Sequence, residues 1–286
     1  MEYLIIINII ATVVAVLVFN NAYKKHDRDI KRIESLAIDR LNILTRLSQK
    51  HDKAEAKIIN RINETKGMIK AEGIDTYRQI VAAQRIDALI GPGYSLGLRG
   101  WPISPDALLE ILSYIKTHKP KLILELGSGR GTLAIDSLIK KYNLDTKLIS
   151  VDHLQKYLNE TKERLGESND VELILAPLKI QKVLGLGNAV KWYDIEAITT
   201  SIKGRKIDLM IVDGPPESIA KNSRLPALRA LSPYLIEDAS IFLDDYSRDS
   251  EHEAIKDWMN FDKTTNPQVL SIETEKGLAL YKRKNK

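Results

Sequence analysis

Residues 121–132 read Lys-Leu-Ile-Leu-Glu-Leu-Gly-Ser-Gly-Arg-Gly-Thr, and this stretch constrains the chain more than any other. The apolar run over 121–126, entered after Pro120, predicts a short buried strand. Gly127, Gly129 and Gly131 then form a turn that ordinary side chains would obstruct. Leu133, Ile135, Leu138 and Ile139 follow with helical spacing. Strand, glycine turn and helix together let a ligand lie against bare backbone at a helix N-terminus. Three glycines alone are equally compatible with a purely structural turn, so the rest of the chain has to decide.

The spacing narrows the ligand. The glycines fall as G-x-G-x-G with Thr132 next, whereas the NAD fingerprint is G-x-G-x-x-G. Glu125 stands two residues before the first glycine, where a phosphate binder would avoid a carboxylate. The pattern E-x-G-x-G-x-G resembles the first motif of the class I S-adenosylmethionine (SAM)-dependent methyltransferases. SAM carries a sulfonium and an amino-acid tail in place of a pyrophosphate, so a nearby carboxylate is useful. The resemblance implies that Glu125, Gly127, Ser128, Gly129 and Gly131 cradle this cofactor.

Downstream, the α/β alternation continues. Residues 147–151 predict a second strand closed by Asp152, over twenty residues from the glycine turn. An acidic residue there is placed to accept hydrogen bonds from ribose hydroxyls; a solvated loop carboxylate is the competing reading. His153 follows as a wall of the same pocket or a surface residue, and 154–165 reads as a helix. Residues 171–176 predict a third strand, and Trp192, Tyr193 and Asp194 read as the start of a further helix with packing aromatics. Residues 207–212 form a fourth strand ending Asp213-Gly-Pro-Pro, and 239–243 a fifth ending Asp244-Asp245-Tyr246. Residues 268–273 and 277–282 alternate as a closing hairpin. All the terminal carboxylates fall on the rim where open α/β sheets bind ligands.

Five β/α units and an antiparallel pair resemble the Rossmann-like class I methyltransferase sheet over residues 101–284. The Val-Asp-Gly after strand four and Leu-Asp-Asp after strand five resemble the O-methyltransferase-like branch. In its catechol-type members the rim carboxylates hold a divalent cation. That implies catalytic and metal roles for Asp213, Asp244 and Asp245, with Mg²⁺ or another divalent cation as ligand. The chain departs from that pattern in having Asp245 where an amide is usual, and Gly-Pro-Pro where a catalytic lysine is expected. The local reading of these three residues is a loop cap or a substrate contact. Arg224 reads as a substrate contact or a surface ion pair, Arg248 and Glu251 are equally ambiguous, and Trp101 reads as pocket wall or packing.

The first third of the chain is different in kind. Residues 3–19 are apolar except for Asn8 and Thr12, at the short end of the roughly 17–25 residues that span a bilayer. Met1-Glu2-Tyr3 lacks the basic start of a signal peptide, and Val-Phe-Asn-Asn is a poor cleavage site. Residues 1–23 therefore read as a transmembrane anchor, with a terminal core helix as the alternative. Lys24, Lys25, Arg28, Lys31 and Arg32 follow the run and no basic residue precedes it, which points the bulk of the chain to the cytoplasm as a single-pass protein. Residues 24–99 read as a helical stalk. Apolar intervals of three and four extend to about residue 70, the end loosens at Gly67 and Gly73, and a second short helix covers 77–90. Heptads are not sustained through His51 and Ala54, so a coiled-coil homo-oligomer and a stripe folded back on the chain or the membrane both remain open. The methyltransferase-like domain is placed at 100–286, after the Gly- and Pro-rich segment that starts at Gly91.

With 286 residues, a net charge of +5 and no cysteine, disulfides and cysteine-bound zinc are excluded. Aromatic and basic residues are not interleaved as nucleic-acid binding requires. The reading is a membrane-anchored SAM-dependent O-methyltransferase acting on a small-molecule or glycan-type acceptor. The alternatives are a different group transfer on the same scaffold and a non-catalytic tethered scaffold with a vestigial fold.

Overall fold

A computed structural model of the chain describes residue 3 and residues 6–12, 27–91 and 102–284. Most of the apolar run at 3–19, Lys24 and Lys25, and Trp101 lie outside the described residues. Residues 6–12 are helical, and among the described residues no helix is long and apolar enough to cross a membrane. The chain divides into two units, the first ending at Gly73 and the second running from Ile74.

A 64-residue helix, α1 (Asp27–Ile90), enters the second unit through its last turns. It is continuous where two helices were expected. Gly67 and Gly73 each cost about 1 kcal/mol relative to alanine, but they keep the backbone hydrogen bonds, so the helix runs through them. Over 35–73 its aliphatic side chains, Leu41, Leu47, Ile58 and Ile69 among them, are largely exposed. From Ile74 the surroundings change, and Gln79, Ala82, Ile86 and Ile90 are buried.

The second unit continues with α2 (Pro105–His118), β1 (Leu122–Leu126), α3 (Arg130–Tyr142), β2 (Lys147–Asp152), α4 (Gln155–Leu165) and β3 (Val171–Leu175). A hairpin of β4 (Leu178–Gln181) and β5 (Val190–Tyr193) leads to α5 (Ile195–Ile202) and β6 (Ile207–Val212). Then come α6 (Pro226–Leu231), β7 (Leu235–Asp244), α7 (Asp249–Phe261), β8 (Gln268–Ile272) and β9 (Leu278–Lys282). Seven strands form one sheet in the order β3-β2-β1-β6-β7-β9-β8. It is parallel except for β9, which runs antiparallel to β7 and β8. This is the mostly parallel sheet with a closing antiparallel hairpin that the sequence predicts.

All five β1 residues are buried, because helices cover both faces of a parallel sheet. Successive side chains alternate between the faces. Leu122, Leu124 and Leu126 join the core with α5, α6 and α7, while Ile123 joins the one with α2, α3 and Ile86 of α1. Ser104 occupies the N-cap position of α2 without a side-chain cap hydrogen bond, and Pro105 stands in the first turn. Its hydroxyl donates to Asp106 Oδ1 at 2.6 Å.

Two elements differ from the sequence reading. Trp192 and Tyr193 end a strand, and the helix starts at Ile195. The pairing that makes them a strand, Leu178 with Tyr193, spans fifteen positions and leaves no local periodicity. The fifth parallel strand begins at Leu235, earlier than residue 239, because exposed Glu237 and Asp238 interrupt its apolar pattern.

Candidate active site

The chain runs outward from β1 through β2 to β3, then returns to β6 on the other side of β1. At such a reversal the loops after the two central strands part and leave a crevice. Here the crevice lies between Gly127, after β1, and Asp213, after β6. A cavity of about 920 Å³ opens there. Its walls bring together Glu125, Gly127, Ser128, Gly129, Gly131, Asp152 and His153 on one side and Asp213 and Asp245 on the other.

Glu125 is 3 % exposed. Its Oε2 accepts hydrogen bonds from Thr132 Oγ1 at 2.5 Å and Ser150 Oγ at 2.7 Å. Thr132 Oγ1 in turn accepts from Gly129 N–H at 3.0 Å, so the carboxylate is oriented by the turn that follows it. A Cβ on Gly131 would collide with Glu125 Oε1. Gly127 takes φ +112, a conformation other residues rarely adopt, and a Cβ there would press on the Asp213 backbone at 3.3 Å. Burial pushes the Glu125 carboxyl up to about 7, against the lowering effect of the Thr132 and Ser150 hydrogen bonds and with a smaller raising contribution from Asp152.

Asp152 closes β2 with Oδ1 accepting from Leu154 N–H at 2.8 Å. Burial raises its carboxyl pKa. His153 Nδ1 lies 3.4 Å from the same oxygen, and burial lowers its pKa. Ser128 Oγ and His153 Nδ1 are buried without a hydrogen-bond partner. Buried polar atoms are almost always paired, so the Ser128 hydroxyl, which has no such partner, marks a place for a polar ligand.

On the other wall, Asp213, Asp244 and Asp245 bring carboxylate oxygens within 4.8 Å of one another. Arg224 stands among them rather than on the surface. It is 4 % exposed, donates to Asp245 Oδ2 at 2.6 Å and to Asp213 Oδ1 at 3.3 Å, and reaches the Asp244 carbonyl at 2.7 Å. Glu251, also buried, lies 3.6 Å from it, and Arg248 reaches Asp245 at 3.0 Å. The sequence gives no cue to this role of Arg224. Its backbone follows Asn222 at φ +57, and that turn carries the guanidinium back under the strand ends.

The cluster sets Asp213, Asp244, Asp245 and Glu251 against Arg224 and Arg248, with Lys276 close enough to favour the ionised form of Asp244. Both Asp244 oxygens and Asp245 Oδ1 are buried without a hydrogen-bond partner. Burial first, and then the neighbouring Asp244 and Asp245 carboxylates, push Asp213 well above the usual carboxylate range. Burial and Asp245 raise Asp244 as well. Unpaired hard oxygens on three converging carboxylates fit a divalent cation. Asp213, Asp244 and Asp245 are the residues that would hold it.

Residues 124–246 match the family model described as "Methyltransferase domain", a span that includes both walls of the crevice. No curated protein matches the chain. Among solved structures, an O-methyltransferase from Bacillus cereus in complex with SAH superposes with a TM-score of 0.50 at 13% identity, covering 74% of this chain and 97% of that one. The methyltransferase PaMTH1 of Podospora anserina, SAH-bound, gives 0.47 at 16% identity over 65% and 81%. The Streptomyces achromogenes O-methyltransferase TomG gives 0.45 at 12% identity over 74% and 96%. At these identities the first of them supports the fold alone. The family match covers less than half of the chain; with this sheet order and this glycine turn, residues 124–246 are similar to a methyltransferase domain.

Proposed function

We propose that the protein is a SAM-dependent O-methyltransferase. The observation that carries this is the carboxylate-flanked turn. Glu125 is fixed by Thr132 and Ser150, Gly131 is kept bare against it, and the whole faces an open crevice. A cationic ligand suits that wall and a pyrophosphate does not. Gly127 to Gly131 cradle the amino-acid tail of SAM, and Asp152 takes the ribose hydroxyls.

The acceptor binds on the Asp213 side of the crevice, with its hydroxyl oxygen in line with the methyl carbon. Asp213, Asp244 and Asp245 orient that oxygen, and Arg224 holds the Asp213 and Asp245 carboxylates and the Asp244 carbonyl in register. Asp213, Asp244 and Asp245 would hold a divalent cation, which would supply Lewis acidity toward the hydroxyl. A small-molecule or glycan-type acceptor fits a cavity of this size. Residues 1–23 anchor the enzyme with its catalytic domain on the cytoplasmic side, and the stalk over 24–99 brings copies together.

Calorimetry of the whole chain with SAM tests the cofactor. We expect a Kd near 1 μM, roughly −8 kcal/mol. A folded chain that takes up no heat from millimolar SAM would refute the proposal.

A further inference from the structure

One group in the crevice is left without a task. Tyr193, the last residue of β5, is fully buried and lines the cavity between its two walls. Its hydroxyl has no hydrogen-bond partner. Its ring makes edge contacts with Trp192 and His153, centroids 5.4 and 6.1 Å away. Its carbonyl accepts from Gln181 Nε2 on β4. The ring is therefore held from several sides while its one polar atom is left unpaired.

The position of that atom is specific. A Cβ on Gly214 would meet the Tyr193 hydroxyl first, then the Leu126 carbonyl at 3.4 Å and Gly127 Cα at 3.5 Å. The hydroxyl thus sits where the ends of β1 and β6 part, between the Glu125–Asp152 wall and the Asp213 wall. Gly214 keeps the space open by having no side chain. A tyrosine needed only for packing would be replaced at no loss by phenylalanine, without a buried orphan oxygen. Burial and the surrounding Asp152, Asp213 and Glu125 charges keep the phenol neutral.

Resting on the SAM reading above, we propose that Tyr193 is a cofactor-contacting residue whose hydroxyl oxygen faces the sulfonium methyl and holds it toward the acceptor. The carbon being transferred has to lie where the cofactor wall and the acceptor wall meet, which is where this oxygen is. Hydrogens on a carbon bound to a sulfonium are electropositive, and a phenol oxygen accepts them in weak C–H···O contacts. In the transfer, a lone pair on the acceptor oxygen forms the new C–O bond as the C–S bond breaks. The C–S electron pair stays on sulfur, which becomes the neutral thioether of S-adenosylhomocysteine (SAH), and the acceptor proton leaves to the carboxylate wall. The methyl contact to Tyr193 exists with SAM and is absent with SAH.

The test is calorimetric and needs no acceptor. Whole-chain wild type and Tyr193→Phe are titrated with SAM and with SAH. The variant is expected to weaken SAM binding about fivefold while SAH binding stays within twofold, a change in the ratio of the two affinities. Equal loss of both ligands, or loss of neither, overturns the inference. Wild type that binds no SAM overturns the cofactor reading instead. If Tyr193→Phe does not fold, Gly214→Ala carries the same test: its methyl displaces the hydroxyl, and a SAM-to-SAH ratio unchanged from wild type overturns the inference.

Discussion

Glu125 shows how a single buried side chain sets conditions for the site. Its pKa of about 7 in the fold lies above its ordinary value of 4.5. Between those two values the native state keeps a proton that the unfolded chain has released. Its contribution to stability is therefore greatest below pH 4.5 and is lost as pH rises through 7, by about 3 kcal/mol in all. A bound cation reverses the preference by stabilising the ionised carboxylate. SAM affinity is then expected to rise up to about tenfold per pH unit as pH increases toward 7, and to level off above it. Glu125→Gln should bind weakly with little change between pH 5.5 and 7.5, measured by calorimetry. A wild-type profile as flat as that of the variant would exclude the role. Asp244 is the parallel case on the other wall, with two unpaired buried oxygens. A cation at 100 times its Kd adds about 2.7 kcal/mol to stability. Magnesium should accordingly raise the melting temperature of the wild type and leave that of Asp244→Asn unmoved, while equal shifts in both would remove Asp244 as a ligand.

Among the elements, the last turns of α1 belong to the sheet domain rather than to the extended part of the helix. Gln79 Nε2 donates to Asp106 Oδ2 at 2.8 Å, and Asp106 N–H donates back to Gln79 Oε1 at 3.2 Å. The Glu275 N–H reaches the same Asp106 oxygen at 2.9 Å. Ile86 is fully buried against α2 and α3. Replacing a buried isoleucine by alanine costs about 2–5 kcal/mol. A chain cut at Ile74 should therefore melt close to the full-length protein, and one cut at Gly91 about 10 °C lower. Equal melting of the two would show that these turns add nothing to the fold. The sequence made the parallel strands legible because each is a short apolar run, and all but β3 are closed by a carboxylate or a glycine. It also made the glycine turn and the acidic rim legible, since both are local. It hid the continuity of α1, where intact backbone hydrogen bonds outweigh two glycines. It hid β4 and β5 as well, because their pairing is set by contacts distant in sequence. Arg224 was legible only as a substrate contact or surface ion pair and Tyr193 only as packing, because both act through residues that folding, not spacing, brings beside them.

At the scale of the whole molecule, the charge pattern and the apolar start carry a consequence for where the acceptor is met. Five basic residues, Lys24, Lys25, Arg28, Lys31 and Arg32, follow the run at 3–19. Among the described residues no helix meets the length and hydropathy of a span, so the anchor rests on sequence and on experiment. The two modes of attachment separate by chemistry. A basic cluster on anionic lipid is screened within a Debye length of about 3 Å at 1 M salt, whereas an inserted apolar segment is indifferent to salt and to alkaline carbonate. The full chain is expected to stay in the membrane pellet through both washes, and the chain cut at Ile74 to stay in the supernatant. Release by salt alone would leave surface binding as the only attachment, and a full chain that never sediments would remove the membrane from the proposal. If it sediments as expected, the crevice works within a stalk's reach of the bilayer. The acceptors to try first are then hydroxyl compounds carried at that surface.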